Sequence, residues 1–228
     1  MFLSYKLFLE GFFMKFKQFL ATALGAGLLV LGGTAIAPQS VQAAKTYGVS
    51  DSKPVKVNKA KHEVYLETTV NGTYLNQPTR HLIVNKDGAN GNKSLLKTNV
   101  TPNQFYAALK KVGAKPGNNL TVKSKAGTKI KGTKLNVSFV INDKKVASNK
   151  AVQVKGKDAK NLDFRFGGNK AHAAKMKTGC IICFDSCPVG IASGATYGFS
   201  FGEHFTGKSS VLPKDGQHMV VVVKAATK

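Results

Sequence analysis

The chain has 228 residues, with 34 Lys and Arg against 11 Asp and Glu, and a net charge of +23 at pH 7. That length can bury one sizeable core and requires no second domain. The charge favours a polyanionic partner, but no nucleic-acid-binding motif accompanies it, so nucleic acid is set aside.

Residues 1–13 are apolar and contain Glu10, a poor beginning for an export signal, and Met14 is the better start. From Met14 the chain reads as a basic n-region with Lys15 and Lys17, then an apolar run from Leu20 to Ala37. The small-residue site Val41-Gln42-Ala43-Ala44 follows. This is the pattern signal peptidase recognises, and it predicts a secretory signal over 1–43, cut after Ala43 with Ala44 as the alternative. A retained membrane helix is opposed by Gly25, Gly27, Gly32, Gly33 and Pro38, and by the lack of a nearby basic stop-transfer cluster. No cysteine stands at the cut, which argues against a lipid anchor. The string Leu212–Gly216 has no apolar tail after it and reads as a turn, not a sortase signal.

Lys6, Lys15, Lys17 and Glu10 leave with the signal, so the mature chain carries +21. The expected location is outside the cytoplasm, with electrostatic retention on anionic wall polymers or the membrane surface. The lysines are scattered along strand-like segments, which is also how the solvated face of a sheet reads.

A polar lead-in over 44–52 precedes a single domain over 53–228. Period-two patterning predicts strands at His62–Glu67, Arg80–Val84, Leu120–Lys123 and Lys134–Ile141. Asn142–Lys145 turns the last of these into a hairpin, and strands follow at Ala151–Val154 and Leu162–Phe166. Met219–Val223 is apolar without alternation, as in a strand covered on both faces. Near 101–112 one helix is well marked: Thr101 as N-cap, Pro102 at its first position, Gln104 completing a capping box, and Gly113 as the stop. Together these predict a predominantly β, α+β fold of antiparallel-rich sheet with one well-capped helix. Too few helices are present for parallel βαβ winding.

Asn85–Asn92 has a single carboxylate, too few for a hard-cation loop. Gly167-Gly168-Asn169 reads as a tight turn, since no strand-to-helix phosphate loop surrounds it. Tyr197, Phe199, Phe201 and Phe205 alternate with other residues and read as strand core.

All three cysteines fall within Thr178–Ile191, as Cys180-Ile181-Ile182-Cys183-Phe184-Asp185-Ser186-Cys187-Pro188. The C-x2-C-x3-C-P spacing is part of the bacterial ferredoxin run. Three chemistries fit it. The three thiolates can bind a metal or an iron–sulfur cluster, with Asp185, His172 or His204 as a fourth ligand. Two can form a disulfide that exchanges with the third. Alternatively, one disulfide merely staples the loop, as an oxidising compartment allows. A cysteine-protease pairing with His62, His81, His172, His204 or His218 has no local signature to support it.

The strings Val100–Leu109, Gly113–Leu120, Phe164–Asn169 and Thr178–Ile191 together resemble the YdjY-domain family, bacterial exported or lipoprotein-like domains described as ferredoxin-like. The likeness runs from about His62 to the C-terminus. It implies a redox or iron–sulfur role and singles out Cys180, Cys183, Cys187, Pro188 and the Gly167-Gly168 turn. The leading expectation is an extracytoplasmic domain with redox or metal–sulfur chemistry at Cys180, Cys183 and Cys187, and Asp185 beside them. The rivals are a wall-associated surface protein whose cysteines form a structural disulfide, and a binding module for a small or polymeric anion.

Overall fold

An unbroken apolar strand has to be covered twice, and Met219–Val223 is the strand around which the others assemble. The computed structural model describes residues 39–227, which belong to one unit, Ala37–Lys228. The expected signal lies outside the described residues except for its last five positions, and so does the proposed start at Met14. In chain order the elements are α1 (Gln39–Tyr47), β1 (Val55–Asn58), β2 (Glu63–Val70), β3 (His81–Asn85), β4 (Ser94–Thr98) and α2 (Pro102–Lys111). Then come β5 (Lys134–Ile141), β6 (Lys144–Ala147), β7 (Val152–Val154), β8 (Lys157–Asp158), β9 (Phe164–Arg165) and α3 (Lys170–Met176). The chain ends with β10 (Cys180–Cys183), β11 (Ala192–Gly194), β12 (Phe205–Gly207) and β13 (His218–Ala225).

Strand β13 lies between β2 and β5, antiparallel to both. Its residues Met219, Val221 and Val223 face the main core with Leu66, Phe139 and Phe164. Val220 and Val222 face the other way and are covered by Ala43, Ala44 and Tyr47 of α1, together with Val49, Tyr65 and Val140. Each such side chain stabilises the fold by roughly 1.5–3 kcal/mol when fully buried. The absence of alternation in the sequence is thus the signature of a wall packed on both sides.

The expectation of an α+β fold is overturned. The sheet runs β2-β13-β5-β9-β11-β10-β3-β4, and β4 returns to β2 through Thr69↔Lys97 and Val70↔Leu96. Eight strands therefore close into a barrel, accompanied only by small helices. Closure leaves no exposed edge within the ring. The closing pair and the short strands β9 and β11 carry no local periodicity, which is why patterning alone suggests an antiparallel-rich sheet with one helix. Strands β3 and β4 run parallel, as do β10 and β11.

Helix α2 has the capping box at Thr101 and Gln104, and its Phe105, Ala108 and Leu109 enter the core. The β5–β6 hairpin turns at Asn142 and Asp143, both with positive φ. Leu120–Lys123, expected as a strand, lies in an irregular segment, with Leu120 buried and Val122 exposed. The aromatic stretch also departs from expectation. Only Phe205 is on a strand, while Tyr197 and Phe201 pack around it from a loop, with ring centroids 5.2 and 5.7 Å away.

Candidate metal centre

Side chains three apart on a regular strand point to opposite faces. A C-x2-C on β10 would therefore separate its two sulfurs. The pairing of β10 with β3 is irregular instead: Cys180 opposes Val84, Ile182 opposes Ile83, and Cys183 opposes His81, with register shifts between them. Such a bulge resets the alternation. Ile181 and Ile182 both turn into the main core. Cys180 and Cys183 both turn away from it, into a small cluster with Val84, Cys187 and Val189.

The imidazole of His81 meets both sulfurs. Its Nδ1 stands 3.6 Å from Cys180 Sγ and 3.6 Å from Cys183 Sγ, and the three donor atoms lie within 4.8 Å of one another. Cys187 is adjacent, and all three cysteines are buried and free of disulfide bonds. The protons are unequally held. The Cys183 thiol stabilises the Cys180 thiolate, against burial and with help from His81, and brings Cys180 down to about 4. The same hydrogen bonding, with Cys187 and burial added, pushes Cys183 well above the ordinary thiol value.

This donor set fits one ion. Metal–sulfur bonds of about 2.3 Å and metal–nitrogen bonds of about 2.0–2.1 Å in a tetrahedron place S and N about 3.6 Å apart, the separation found at His81. An iron–sulfur cluster spreads its four ligands over two or more irons and needs a wider set of donors. His81, Cys180 and Cys183 would hold the ion; Cys187 packs beside them but is not among the converging donors, and would complete the set only by turning its sulfur inward.

The walls are built from backbone. Gly88 is in close contact with Gly179 and Thr178, where a Cβ would come within 2.5 Å of Gly179 Cα. This brings the Asn85–Asn92 loop over the pocket: Asn85 N–H donates to Gly179 O, Asn90 N–H to Thr178 O, and Asn90 Nδ2 approaches Cys180 Sγ at 3.8 Å. The loop that reads as too poor in carboxylates for calcium thus covers the thiols. On the opposite side Asn169 Nδ2 donates to Cys187 O at 2.9 Å, and Cys187 N–H donates to Ser193 Oγ at 3.1 Å. Gly168, at φ +88°, adopts the left-handed backbone that lets its turn brace the third cysteine.

Asp185 is fully buried but turns to Arg80, not to the sulfurs. Arg80 Nη2 donates to Oδ2 at 2.8 Å and Nε to Oδ1 at 3.2 Å, while Gly202 N–H donates to Oδ2 at 3.2 Å. Burial pushes the Asp185 carboxyl up, against the pull of Arg80. Arg80 thereby neutralises the one buried carboxylate of the cysteine loop. His172, on α3, and His204, whose ring packs edge-on against Phe201 at 5.0 Å, are not among the converging donors. The histidine that does converge, His81, lies 99 residues from Cys180 in sequence. Its only sequence signal is its place at the head of an apolar strand.

The YdjY domain model matches residues 55–224. The chain is 42% identical over 184 residues to the uncharacterized protein YdjY of Escherichia coli (strain K12), across 78% of this chain and 82% of that protein. No solved structure matches.

Proposed function

The chain belongs to the YdjY domain family, and we propose that it is an exported metal–thiolate protein holding one transition-metal ion of the zinc or iron class in the His81–Cys180–Cys183–Cys187 pocket. The observation that carries this reading is the convergence of two sulfurs on one imidazole nitrogen at 3.6 Å within a buried pocket. Thiol–disulfide exchange with a partner needs an accessible thiolate. Cys180 has the lowered pKa for that chemistry but is 0% exposed. Burial favours ligation over exchange. A closed site of this kind suits structural stabilisation or electron transfer and leaves no open position for hydrolysis. The signal has no twin-arginine pair, so the ion is acquired after export. The high net charge of the mature chain supports retention on anionic envelope polymers.

The test is elemental analysis with a visible spectrum, on protein purified both aerobically and anaerobically. The expected result is about one metal per chain, lost in His81→Ala and Cys183→Ser. Reduced protein that shows no binding of Zn²⁺, Fe²⁺ or Co²⁺ dependent on His81 and Cys183 overturns the reading. A Cys180–Cys183 disulfide in the aerobically purified protein would favour the stapled-loop alternative.

A further inference from the structure

A second group of ligand-bearing side chains stands on the outer wall of the barrel, apart from the cysteines. Glu67 and Thr69 of β2 point outward, beside His218 of β13, which pairs with Thr69, and Lys97 of β4, which pairs with Thr69 from the other side. Asp51 reaches the same place from the turn Ser50–Lys53, which is closed by two backbone hydrogen bonds of 3.0 and 3.1 Å. That turn is anchored by buried Val49 and by Asn99 Nδ2, which donates to Asp51 O at 3.3 Å. These residues line a cleft of about 520 Å³.

Three features point to a ligand. The carboxylates of Asp51 and Glu67 and the Nδ1 of His218 lie within 4.8 Å of one another. Two carboxylates brought together destabilise each other unless a proton or a cation sits between them. In this lysine-rich chain their only ion-pair partner among the described residues is His218, which is 2.5 Å from Glu67 and 4.0 Å from Asp51. Lys86 and Lys97 line the cleft but pair with neither carboxylate. Lastly, Glu67 is 97% buried, yet only its Oε1 is hydrogen-bonded within the described residues, to His218. One Glu67 oxygen is held by His218 and the other opens to the cleft beside a second carboxylate, so a cation entering the cleft meets two carboxylates and an imidazole. The donors are one nitrogen and two carboxylate oxygens, a harder set than the thiol pocket.

We propose that Asp51, Glu67 and His218 form a second metal site, for a divalent cation of the manganese or zinc class. Its remaining coordination positions face the cleft, where Lys86 and Lys97 can hold an anionic ligand of the ion. Carboxylate and water donors suit Mn²⁺, and the imidazole extends the range to Zn²⁺. The site does not depend on the cysteines, and the two can be tested apart.

Mn²⁺ avoids thiolates and is therefore the probe. Titration of the purified protein, followed by loss of the free-ion EPR signal, is expected to show one bound Mn²⁺ per chain. Asp51→Asn, at an exposed position that folding does not need, and His218→Ala should each weaken binding at least tenfold, and Cys180→Ser should not change it. Zn²⁺ should compete at the same stoichiometry in the Cys180→Ser background. Absence of Mn²⁺ binding at millimolar concentration, or binding indifferent to both Asp51→Asn and His218→Ala, overturns the proposal. Neither outcome bears on metal at the thiol pocket.

Discussion

The two ligand clusters of this barrel are made in opposite ways. The outer-wall group follows the plain alternation of β2 and β13, where residues two apart share a face, so Glu67 and Thr69 project together beside His218. The thiol pocket exists because that alternation fails: a bulge in β10 brings Cys180 and Cys183 to the same face. The first is open, with an Asp51 side chain that is 66% exposed; the second is sealed, with Cys180 and Cys183 at 0%. Openness and donor type go together. Soft donors that oxidise readily are closed off by two glycine-rich loops, while oxygen donors stand where water and anions reach them.

If this contrast is right, substitutions of charged groups should be costly at the sealed pocket and almost free at the open cleft. Arg80→Met leaves the Asp185 carboxylate buried without its guanidinium, and removing one partner of a buried pair costs about 3–5 kcal/mol. Asp51→Asn, on the exposed turn, should stay within about 0.5 kcal/mol of the parent. Urea unfolding of the two variants measures both. The contrast fails if they are destabilised equally. Restoring part of the loss with Arg80→Met combined with Asp185→Leu would identify the stranded charge as its cause.

Gly190 tests how tightly the pocket is sealed. A Cβ there would lie 2.9 Å from Ala192 O, 3.3 Å from Cys183 Sγ and 3.5 Å from Cys187 Cβ. Gly190→Ala should therefore destabilise by about 1–3 kcal/mol, the range for overpacking, and should lower metal content. Thermal unfolding and elemental analysis report the two effects. A variant with unchanged melting temperature and full metal content would mean that the loop has slack.

The sequence makes local features legible and non-local ones not. Thr101, Pro102 and Gln104 mark a helix start with their own side chains, and Asn142-Asp143 marks a hairpin, because both motifs close within four residues. The double cover of β13 is readable from Met219–Val223 alone. Barrel closure is not, since Val70 and Leu96 pair across a long connection without a compositional trace. The same divide runs through the site. Cys180, Cys183 and Cys187 stand out by spacing, but the partner of the first two is His81 on another strand. Asp185 looks like a ligand by its position in the loop, and only the fold shows that Arg80 occupies it. The bulge that makes the pocket is invisible to period counting, because its effect is to break the period.

A smaller loss than either pocket substitution belongs to the outer wall and has a definite sign in pH. Glu63 lies on β2 with its Oε1 2.7 Å from Lys145 Nζ and its Oε2 accepting from Tyr65 O–H at 2.9 Å. Burial alone would raise its carboxyl, but the bonds to Lys145 and Tyr65 outweigh that and hold it below the ordinary value of 4.5. A carboxyl depressed in the folded state contributes stability that is fully present above 4.5 and is lost as the pH falls through its lower, folded value. Lys145 is 42% exposed in its side chain, so the pair contributes about 1 kcal/mol or less. Melting curves taken from neutral pH into the acid range should show Glu63→Gln less stable than the parent at neutrality. The gap should narrow to nothing once the parent's Glu63 is protonated. A gap that persists unchanged in acid would assign the loss to packing against Tyr65 and not to charge. The same experiment on Arg80→Met should show a gap that stays open above the range in which Asp185 takes up its proton. That range lies higher than Glu63's, because burial pushes the Asp185 carboxyl up while its partners hold the Glu63 carboxyl down. On titration the sealed pocket and the open wall should therefore separate by pH as well as by size of effect.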